Sequence, residues 1–503
     1  MPVAKPISLS KSKLNAYHQC KKRLWLEVHR RDLLEASAAT SRIFAVGQQV
    51  GSLARAEHAD GILVPNDLAW SEAEQQTQAA LAAQPKRPVF EAAVSHAGVC
   101  VRSDLLIPRG SGFHLAEVKS TTSVKDYHLP DAAVQVWVLR SAGVPVKSVE
   151  LRHINREFVY PGYGDYRRLF ASGDIQDAVE KLQPDVPKWV EDARAILGRA
   201  EPDVAMGGYC DAPFECPFKV HCASVAGPRP RYPVTLLKGK NGKRLAEELA
   251  QEGIDDLRNV PVSRLGDDEK LHRIHAAVKS GQPFLDPAAR RAIAAWPYPR
   301  YHLDFETINF AVPRWAGTQP YEQVPFQWSC HIDAGEGELE HVAFLDLSGG
   351  DPSRACAEAL IKALGTRGAV IAYNAGFEKG VISRLAERFP DLREQLRAIN
   401  ARVVDLLPIV RKHYYHRDLF GSFSMKAVLP TVALKMDYAE LDEVQDGEAA
   451  QMAYLEAIQL ETAEARRQAL RAKLLAYCER DTLAMIEVEK ALARGASEMM
   501  PVL

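Results

Sequence analysis

The chain has 503 residues, of which 47% are hydrophobic, and a formal net charge of −2. This length accommodates two or three domains, each with its own core. No apolar run is long enough to span a membrane, and residues 1–6 lack the hydrophobic centre of a signal peptide. We therefore expect a cytoplasmic protein without membrane partners, in which clustered cysteines hold metal instead of forming disulfides. Near-neutral charge confines any nucleic-acid-binding surface to local basic patches.

A β-hairpin is predicted in the N-terminal third of the chain. Its strands are Val99 to Ile107 and Phe113 to Lys119, joined by a glycine-rich turn. Asp104 lies near the end of the first strand, while Glu117 and Lys119 are two residues apart and share a face of the second. This arrangement supplies two metal ligands and a cation that stabilises charge or positions a nucleophile. The alternative is a solvated Glu-Lys pair on an exposed strand.

Flanking residues extend this pattern. Glu91 lies on the preceding strand, and Gln135 lies on a helix predicted to open after Pro130-Asp131. The layout resembles the PD-(D/E)xK nucleases of the RecB and CRISPR-associated RecB-like class, although their Q-x-x-x-Y motif ends here in Leu139 and their upstream histidine is absent near 47–51. The resemblance implies a nuclease site whose first two members bind metal: Asp104, Glu117, Lys119 and Gln135.

Four of the eight cysteines bracket this region of the sequence. Cys20 lies upstream, and Cys210, Cys216 and Cys222 lie close together downstream. One remote cysteine and a downstream triplet resemble the iron-sulfur RecB-like nucleases, which implies a 4Fe-4S cluster held by four thiolates. Zinc is the alternative, because four thiolates also suit a tetrahedral structural site. The remaining cysteines lie in apolar stretches and are predicted to be core residues: Cys100, Cys330, Cys356 and Cys478.

Composition changes after the last clustered cysteine. A proline-rich linker is predicted at 225–233, followed by several short helices. Alternating strand and helix signals resume at Arg300 and continue to the C terminus, as an α/β domain requires. The predicted domains are a RecB-like nuclease module with a four-cysteine clasp (1–225), a helical connector (226–297) and an α/β domain (298–503).

Two pairs of polar residues dominate the C-terminal third. Asp304 and Glu306 alternate with apolar residues after Pro299 and share one face of a predicted strand. Tyr477 and Asp481 are four residues apart on a predicted helix and share one helix face. Converging carboxylates repel one another unless a divalent cation lies between them, and two metals that clamp a phosphodiester are a common use of such a cluster. The alternative is a capping Asp and a surface Glu.

Between these pairs, an apolar strand beginning at Val370 is predicted to run into a small-residue turn. The segment continues through Asn374 and Phe377 to Glu378, before a helix predicted from Lys379. These motifs resemble the tyrosine-bearing DEDD 3′–5′ exonucleases, which have an RNase H-like fold; Glu378 stands where that family has Asp. The resemblance implies two Mg²⁺ or Mn²⁺ ions, with either Glu378 or Asp405 as the fourth acidic ligand, and a tyrosine that orients or helps to deprotonate the attacking water. The implied site comprises Asp304, Glu306, Tyr477 and Asp481.

Together, these resemblances imply a two-site nuclease that hydrolyses DNA, at single strands or ends. The residues 421–430 and 438–454 also resemble an uncharacterised bacterial domain family fused behind RecB-like nucleases. One alternative is a protein with a single active site, the other being used for binding, and the incomplete Q-x-x-x-Y motif favours it. Another is a nucleic-acid-binding scaffold without hydrolysis, within a repair or phage-defence assembly.

Overall fold

The computed structural model describes residues 8–34, 38–227, 230–433, 436, 438 and 441–494. The chain divides into two compact units: unit 1 contains Met1–Pro228 and Phe310–Tyr321, and unit 2 contains Arg229–Asn309 and Glu322–Leu503. The expected helical connector falls in unit 2 from Arg229 onward. Positions 228 and 229 of the expected linker lie outside the described residues. Among the described helices, none combines the length and the apolar character needed to cross a membrane.

The helices and strands of unit 1 follow in chain order. The strands are β1 Leu9–Ser10, β2 Ile62–Leu63, β3 Val89–His96, β4 Val99–Arg109, β5 Gly112–Lys119, β6 Val146–Ile154 and β7 Phe170–Asp174. The α-helices are α1 Lys11–Gln19, α2 Lys21–His29, α3 Ala38–Ala56, α4 Trp70–Ala82, α5 His128–Ser141, α6 Gln176–Leu182, α7 Val186–Leu197 and α8 Lys219–Val225. Helix α5 begins four residues earlier than expected, because proline is tolerated in the first turn of a helix.

Unit 1 is built on a seven-stranded mixed sheet with the order β2-β3-β4-β5-β6-β7, and β1 pairs with β4 outside this path. Strands β3, β4 and β5 form an antiparallel meander, whereas β5 and β6 are parallel and are connected through α5. Helix α5 is buried on most of its surface. Polar residues on this helix are therefore held inside the unit, where they need hydrogen-bonding partners.

Unit 2 contains the remaining elements. Its strands are β8 Phe284–Leu285, β9 Arg300–Ile308, β10 Val324–Asp333, β11 Leu339–Leu345, β12 Ala369–Ala372, β13 Val403–Asp405 and β14 Tyr414–Tyr415. Its α-helices are α9 Gly239–Gln251, α10 Glu269–Ser280, α11 Ala288–Ala294, α12 Ser353–Leu364, α13 Gly376–Arg388, α14 Arg393–Ala401, α15 Leu406–His413, α16 Met425–Val432, α17 Gly447–Ala457 and α18 Glu464–Arg494. Both units combine helices with mixed sheets, which confirms the predicted α/β class.

The main sheet of unit 2 has five strands in the order β11-β10-β9-β12-β13. Strand β9 is central: it pairs antiparallel with β10 and parallel with β12. Its sequence alternates, so Tyr301, Leu303 and Phe305 enter the hydrophobic core while polar residues occupy the other face. Helix α18 packs against β9 and β10. The helix shields most of this central strand from bulk water, so the buried polar side chains on it require partners.

A buried ionic group lies on this polar face at the start of β9. Arg300 donates a hydrogen bond to Oε1 of Glu489 on α18, and His302 Nε2 lies 2.6 Å from Oε2 of the same carboxylate. All three residues are less than 9% exposed. Burial raises the pKa of Glu489, but His302 and Arg300 outweigh it and lower this pKa below its ordinary value. The group ties α18 to the central strand.

Replacement of Glu489 by leucine should lower the free energy of unfolding by about 3–5 kcal/mol, because it leaves the Arg300 guanidinium buried without its anion. Equilibrium urea unfolding of the full chain measures this loss. The matched control is Glu487→Gln on the same helix, whose carboxylate pairs with Lys490 at the surface; it should change the unfolding free energy by less than about 1 kcal/mol. Equal losses in the two variants would show that the buried group does not stabilise unit 2.

Candidate functional sites

Three carboxylates converge between β9 and α18. Asp304 and Glu306 project from the same face of β9, and Asp481 projects from α18. One oxygen from each lies within 4.8 Å of the others. The structure therefore brings together acidic residues of the two polar pairs, which lie about 175 residues apart in the sequence. All three are oxygen donors, the ligands that Mg²⁺ and Mn²⁺ prefer.

Burial and mutual repulsion dominate the electrostatics of this cluster. Burial, followed by the neighbouring carboxylates of Asp481 and Glu306, raises the pKa of Asp304 well above its ordinary value. Burial and Asp481 raise the pKa of Glu306 to about 8, and burial raises that of Asp481 to about 6. The three groups are not all ionised near neutral pH without a compensating charge. A divalent cation supplies that charge.

The two candidates for the fourth acidic ligand are in different surroundings. Glu378 lies in the first turn of α13, is 3% exposed, and has no hydrogen-bond partner for Oε2 among the described residues. Burial raises its pKa to about 8, and its charge in turn raises the pKa of Asp304. Asp405 instead accepts hydrogen bonds from the backbone N–H groups of Leu407 and Asn374. Both bonds reach Oδ1 of Asp405, which caps α15, so Glu378 is the candidate whose unpartnered oxygen is buried.

Aromatic residues surround Asp481. Tyr477, one turn earlier on α18, hydrogen-bonds to it and lowers its pKa, and Tyr438 donates a second hydrogen bond to Oδ1. Burial, followed by Asp481, raises the pKa of the Tyr477 phenol far above its usual range. Tyr477 is therefore a hydrogen-bond donor at neutral pH, which suits an orienting role better than that of a base. The Lys426 ammonium lies 5.6 Å and 5.9 Å from the Tyr438 and Tyr477 ring centroids.

A second polar cluster forms in unit 1 where the sheet forks. Strand β4 pairs with β5 only as far as Leu105, and its start pairs with β1. At the fork, Oδ2 of Asp104 accepts a hydrogen bond of 2.7 Å from the backbone N–H of Val118. Glu117 is 1% exposed, and its carboxylate accepts 2.7 Å hydrogen bonds from Lys119 and Gln135. The structure thus brings together Asp104, Glu117, Lys119 and Gln135.

Two further members of this cluster were missed by the sequence analysis. Lys11 directly follows β1, and its ammonium donates a 2.7 Å hydrogen bond to Oε1 of Glu117. Asp131, in the first turn of α5, accepts hydrogen bonds from Lys119 and from Asn15. Lys11 is placed in the cluster by the pairing of β1 with β4. The sequence does not indicate this pairing, because β1 has only two residues. Asp131 was read only as a residue before the helix.

The lysines compensate most of the negative charge in the unit 1 cluster. Burial raises the pKa of Asp131, but Lys11 and Lys119 outweigh it and lower this pKa well below its ordinary value. Burial and the Glu117 carboxylate raise the pKa of Asp104 to about 7. Glu91 adopts a φ of 55° on β3 and pairs with Arg55 at 3.0 Å. Asp104 is consequently the acidic residue of the core motif that has no ammonium group bonded to it in the described structure.

The four clustered cysteines line one pocket in unit 1: Cys20, Cys210, Cys216 and Cys222. Cys20 lies between α1 and α2, and the adjacent Gln19 donates 2.7 Å hydrogen bonds to the carbonyls of Tyr209 and Phe214. Lys22, Arg23 and Lys219 also line the pocket. Remote segments are therefore joined around four thiols, and the basic residues suit the negative charge of a thiolate-ligated metal.

Three of the other four cysteines are core residues as predicted, since Cys330, Cys356 and Cys478 are fully buried. Cys478 lies beside the acidic cluster, with its sulfur 3.9 Å from Oδ2 of Asp304. Cys100 departs from the prediction. It is only partly buried because it lies at the edge formed by β1, where its sulfur is 3.1 Å from the hydroxyl of Ser8.

Comparison with known proteins finds a match to one segment, which lies mostly in unit 2 and includes Phe310–Tyr321 of unit 1. A family model described as a domain of unknown function (DUF2779) matches residues 301–424. The matched range contains Asp304, Glu306 and Glu378 and ends before Tyr477 and Asp481. No curated protein matches the chain.

The acidic cluster makes stability depend on pH. A carboxylic acid whose pKa is higher in the folded state holds its proton more tightly there, so stability is lost as pH rises from the unfolded value to the folded one. For Glu306 this window runs from 4.5 to about 8. Without divalent cations, the urea midpoint should fall between about pH 5 and about pH 8, and Mg²⁺ should restore it at the higher pH.

The control for this experiment is the double variant Asp304→Asn, Glu306→Gln, which keeps side-chain size and removes two of the titrating groups. Its urea midpoint should vary less with pH and respond less to Mg²⁺. The electrostatic account is contradicted if the wild-type protein and the double variant show the same dependence on both pH and Mg²⁺.

Proposed function

We propose that the protein is a metal-dependent nuclease with a hydrolytic centre in unit 2. The observation that carries this proposal is the convergence of Asp304, Glu306 and Asp481 within 4.8 Å, at a site where Glu306 is buried and the two aspartates are partly buried. Such a cluster is costly to keep ionised unless it binds cations. The proposed substrate is DNA, at single strands or ends, in accordance with the exonuclease resemblance of the motifs.

The proposed roles follow from the surroundings of each side chain. Asp304, Glu306 and Asp481 hold Mg²⁺ or Mn²⁺, and Glu378 contributes its unused oxygen. The metal lowers the pKa of bound water and stabilises charge on the phosphate. Tyr477, protonated at neutral pH, donates a hydrogen bond that orients the reacting groups. Lys426 adds positive charge and lowers the pKa values of Glu306 and Asp481.

Degradation of end-labelled single- and double-stranded DNA and RNA tests this proposal. Asp304→Asn and Asp481→Asn should each abolish Mg²⁺-dependent cleavage by unit 2, because each removes a metal ligand. Tyr477→Phe should leave metal binding intact and lower the rate by roughly 10²- to 10⁴-fold. Glu338→Gln, an exposed change before β11, is the control and should retain wild-type activity. Full activity in Asp304→Asn and in Asp481→Asn would exclude a hydrolytic centre at this cluster.

For unit 1 we propose a second nucleic-acid site, either a nuclease centre or a binding site. The convergence of Asp104, Glu117 and Lys119 supports hydrolysis, whereas the bonding of Glu117 to two lysines and Gln135 supports binding alone. Experiments on protein that carries Asp304→Asn distinguish these two roles. If unit 1 hydrolyses DNA, residual metal-dependent cleavage is lost on adding Asp104→Asn. If it only binds, the Asp304→Asn protein is already inactive and Lys119→Ala weakens DNA binding.

We further propose that Cys20, Cys210, Cys216 and Cys222 hold a 4Fe-4S cluster that clasps the N-terminal helices to the downstream loop. The shared pocket and its basic lining support this proposal. Zinc is the alternative ion for the same thiols.

Protein purified without oxygen should be brown and contain about four iron atoms per chain, because a thiolate-bound cluster absorbs visible light. Cys210→Ser should lose iron and colour. Cys356→Ser is the matched control, since Cys356 is a buried cysteine of unit 2 outside the pocket, and it should keep both. A colourless wild-type protein with one zinc per chain would show that the four thiols hold zinc and not an iron-sulfur cluster.

A further inference from the structure

A cluster of imidazole and carboxylate groups lies beside the acidic site of unit 2 and has no role in the function proposed above. His331 on β10 is directly opposite His341 on β11, and their ring centroids are 4.5 Å apart. Glu479 on α18 completes the cluster, with Oε1 3.8 Å from Nδ1 of His341. One donor atom from each of the three residues lies within 4.8 Å of the others.

Hydrogen bonds to two hydroxyl groups determine which histidine nitrogens carry protons. Thr482 donates its hydroxyl hydrogen to the Glu479 carbonyl at 3.0 Å, because a carbonyl only accepts. Its oxygen must therefore accept from its other two partners, Nδ1 of His331 at 2.8 Å and the hydroxyl of Ser329 at 3.0 Å. Ser329 has then used its own hydrogen, so it accepts from Nε2 of His341 at 2.9 Å.

This network leaves one lone pair on each histidine: on Nε2 of His331 and on Nδ1 of His341. The second of these nitrogens is the one that faces Glu479. Metal-bound histidines generally donate their other ring N–H to an oxygen acceptor, which fixes the tautomer and the ring orientation. Ser329 and Thr482 provide such acceptors before any metal is bound.

The protonation state of His331 and the exposure of its two neighbours also suit metal binding. Burial, followed by the neighbouring His341 and His302, lowers the pKa of His331 to about 4, so this imidazole is neutral near pH 7. The side chains of His341 and Glu479 are 28% and 47% exposed. An ion therefore reaches the cluster from solvent, and no buried carboxylate needs to be neutralised first.

We propose that His331, His341 and Glu479 bind one divalent transition metal of the zinc class. Two imidazoles and a carboxylate suit zinc and its neighbours, whereas the all-oxygen cluster of Asp304, Glu306 and Asp481 suits Mg²⁺ or Mn²⁺. Three protein ligands leave one position of a tetrahedral zinc ion open to water or another small ligand. The two sites thus select different ions although both are built on α18 and the same sheet.

Zinc stoichiometry tests this site in the full-length protein. After dialysis against Zn²⁺ in excess Mg²⁺, elemental analysis should find one zinc fewer per chain in His341→Ala and in Glu479→Gln than in wild type. The difference between proteins cancels any zinc held by the thiols. The controls are His272→Ala in α10 and Glu340→Gln, whose side chain is exposed beside His341 on β11; both should bind as much zinc as wild type.

Crystals soaked in Zn²⁺ provide the second measurement. An anomalous scattering peak should lie about 2.0–2.2 Å from a nitrogen of each histidine and an oxygen of Glu479, and should vanish in His341→Ala. Equal zinc content in wild type and His341→Ala, or a peak that persists at these residues in the variant, would overturn the proposal.

Discussion

The packing of α18 across β9 and β10 is the constraint on which the chemistry of unit 2 depends. This helix carries Glu479, Asp481 and Glu489, and each meets polar residues of the sheet. Because β9 is central and covered, bulk water solvates little of its polar face. The helix therefore determines which buried charges are compensated and which remain open to an external cation.

These polar groups differ in how their charge is balanced. Glu489 has Arg300 and His302 as internal partners, so its role is structural. Asp304 and Glu306 have no guanidinium or ammonium bonded to them in the described part of the chain, and their pKa values rise accordingly. In unit 1, the Glu117 carboxylate forms ion pairs with Lys11 and Lys119. The acidic cluster of unit 2 thus has the stronger requirement for a divalent ion.

Local patterns in the sequence were enough to predict much of the unit 2 site. The alternation along β9 predicted the shared face of Asp304 and Glu306, and the four-residue spacing predicted that of Tyr477 and Asp481. Partners that depend on tertiary register were not predictable in this way. Tyr438 reaches Asp481 from a position 43 residues earlier in the chain, and His331 meets His341 only through the register of β10 and β11.

The fold class was likewise predictable from sequence, whereas the exact first and last residues of some helices and strands were not. The hairpin of β4 and β5 and the strand before Glu378 were predicted close to their observed bounds. Helix α13 instead begins at Gly376, which places Glu378 within its first turn, and the Glu378 side chain is buried. Lys11 was missed because its position follows from a two-residue strand pairing with a distant partner.

The central claim is that the carboxylates between β9 and α18 form a divalent-cation site. Titration with Mn²⁺ followed by electron paramagnetic resonance tests it most directly, because free Mn²⁺ gives a signal that binding broadens. Wild-type protein should bind more Mn²⁺ ions tightly than Asp304→Asn or Asp481→Asn, and Asp405→Asn should match wild type. Identical Mn²⁺ binding by the wild-type protein, Asp304→Asn and Asp481→Asn would contradict the account.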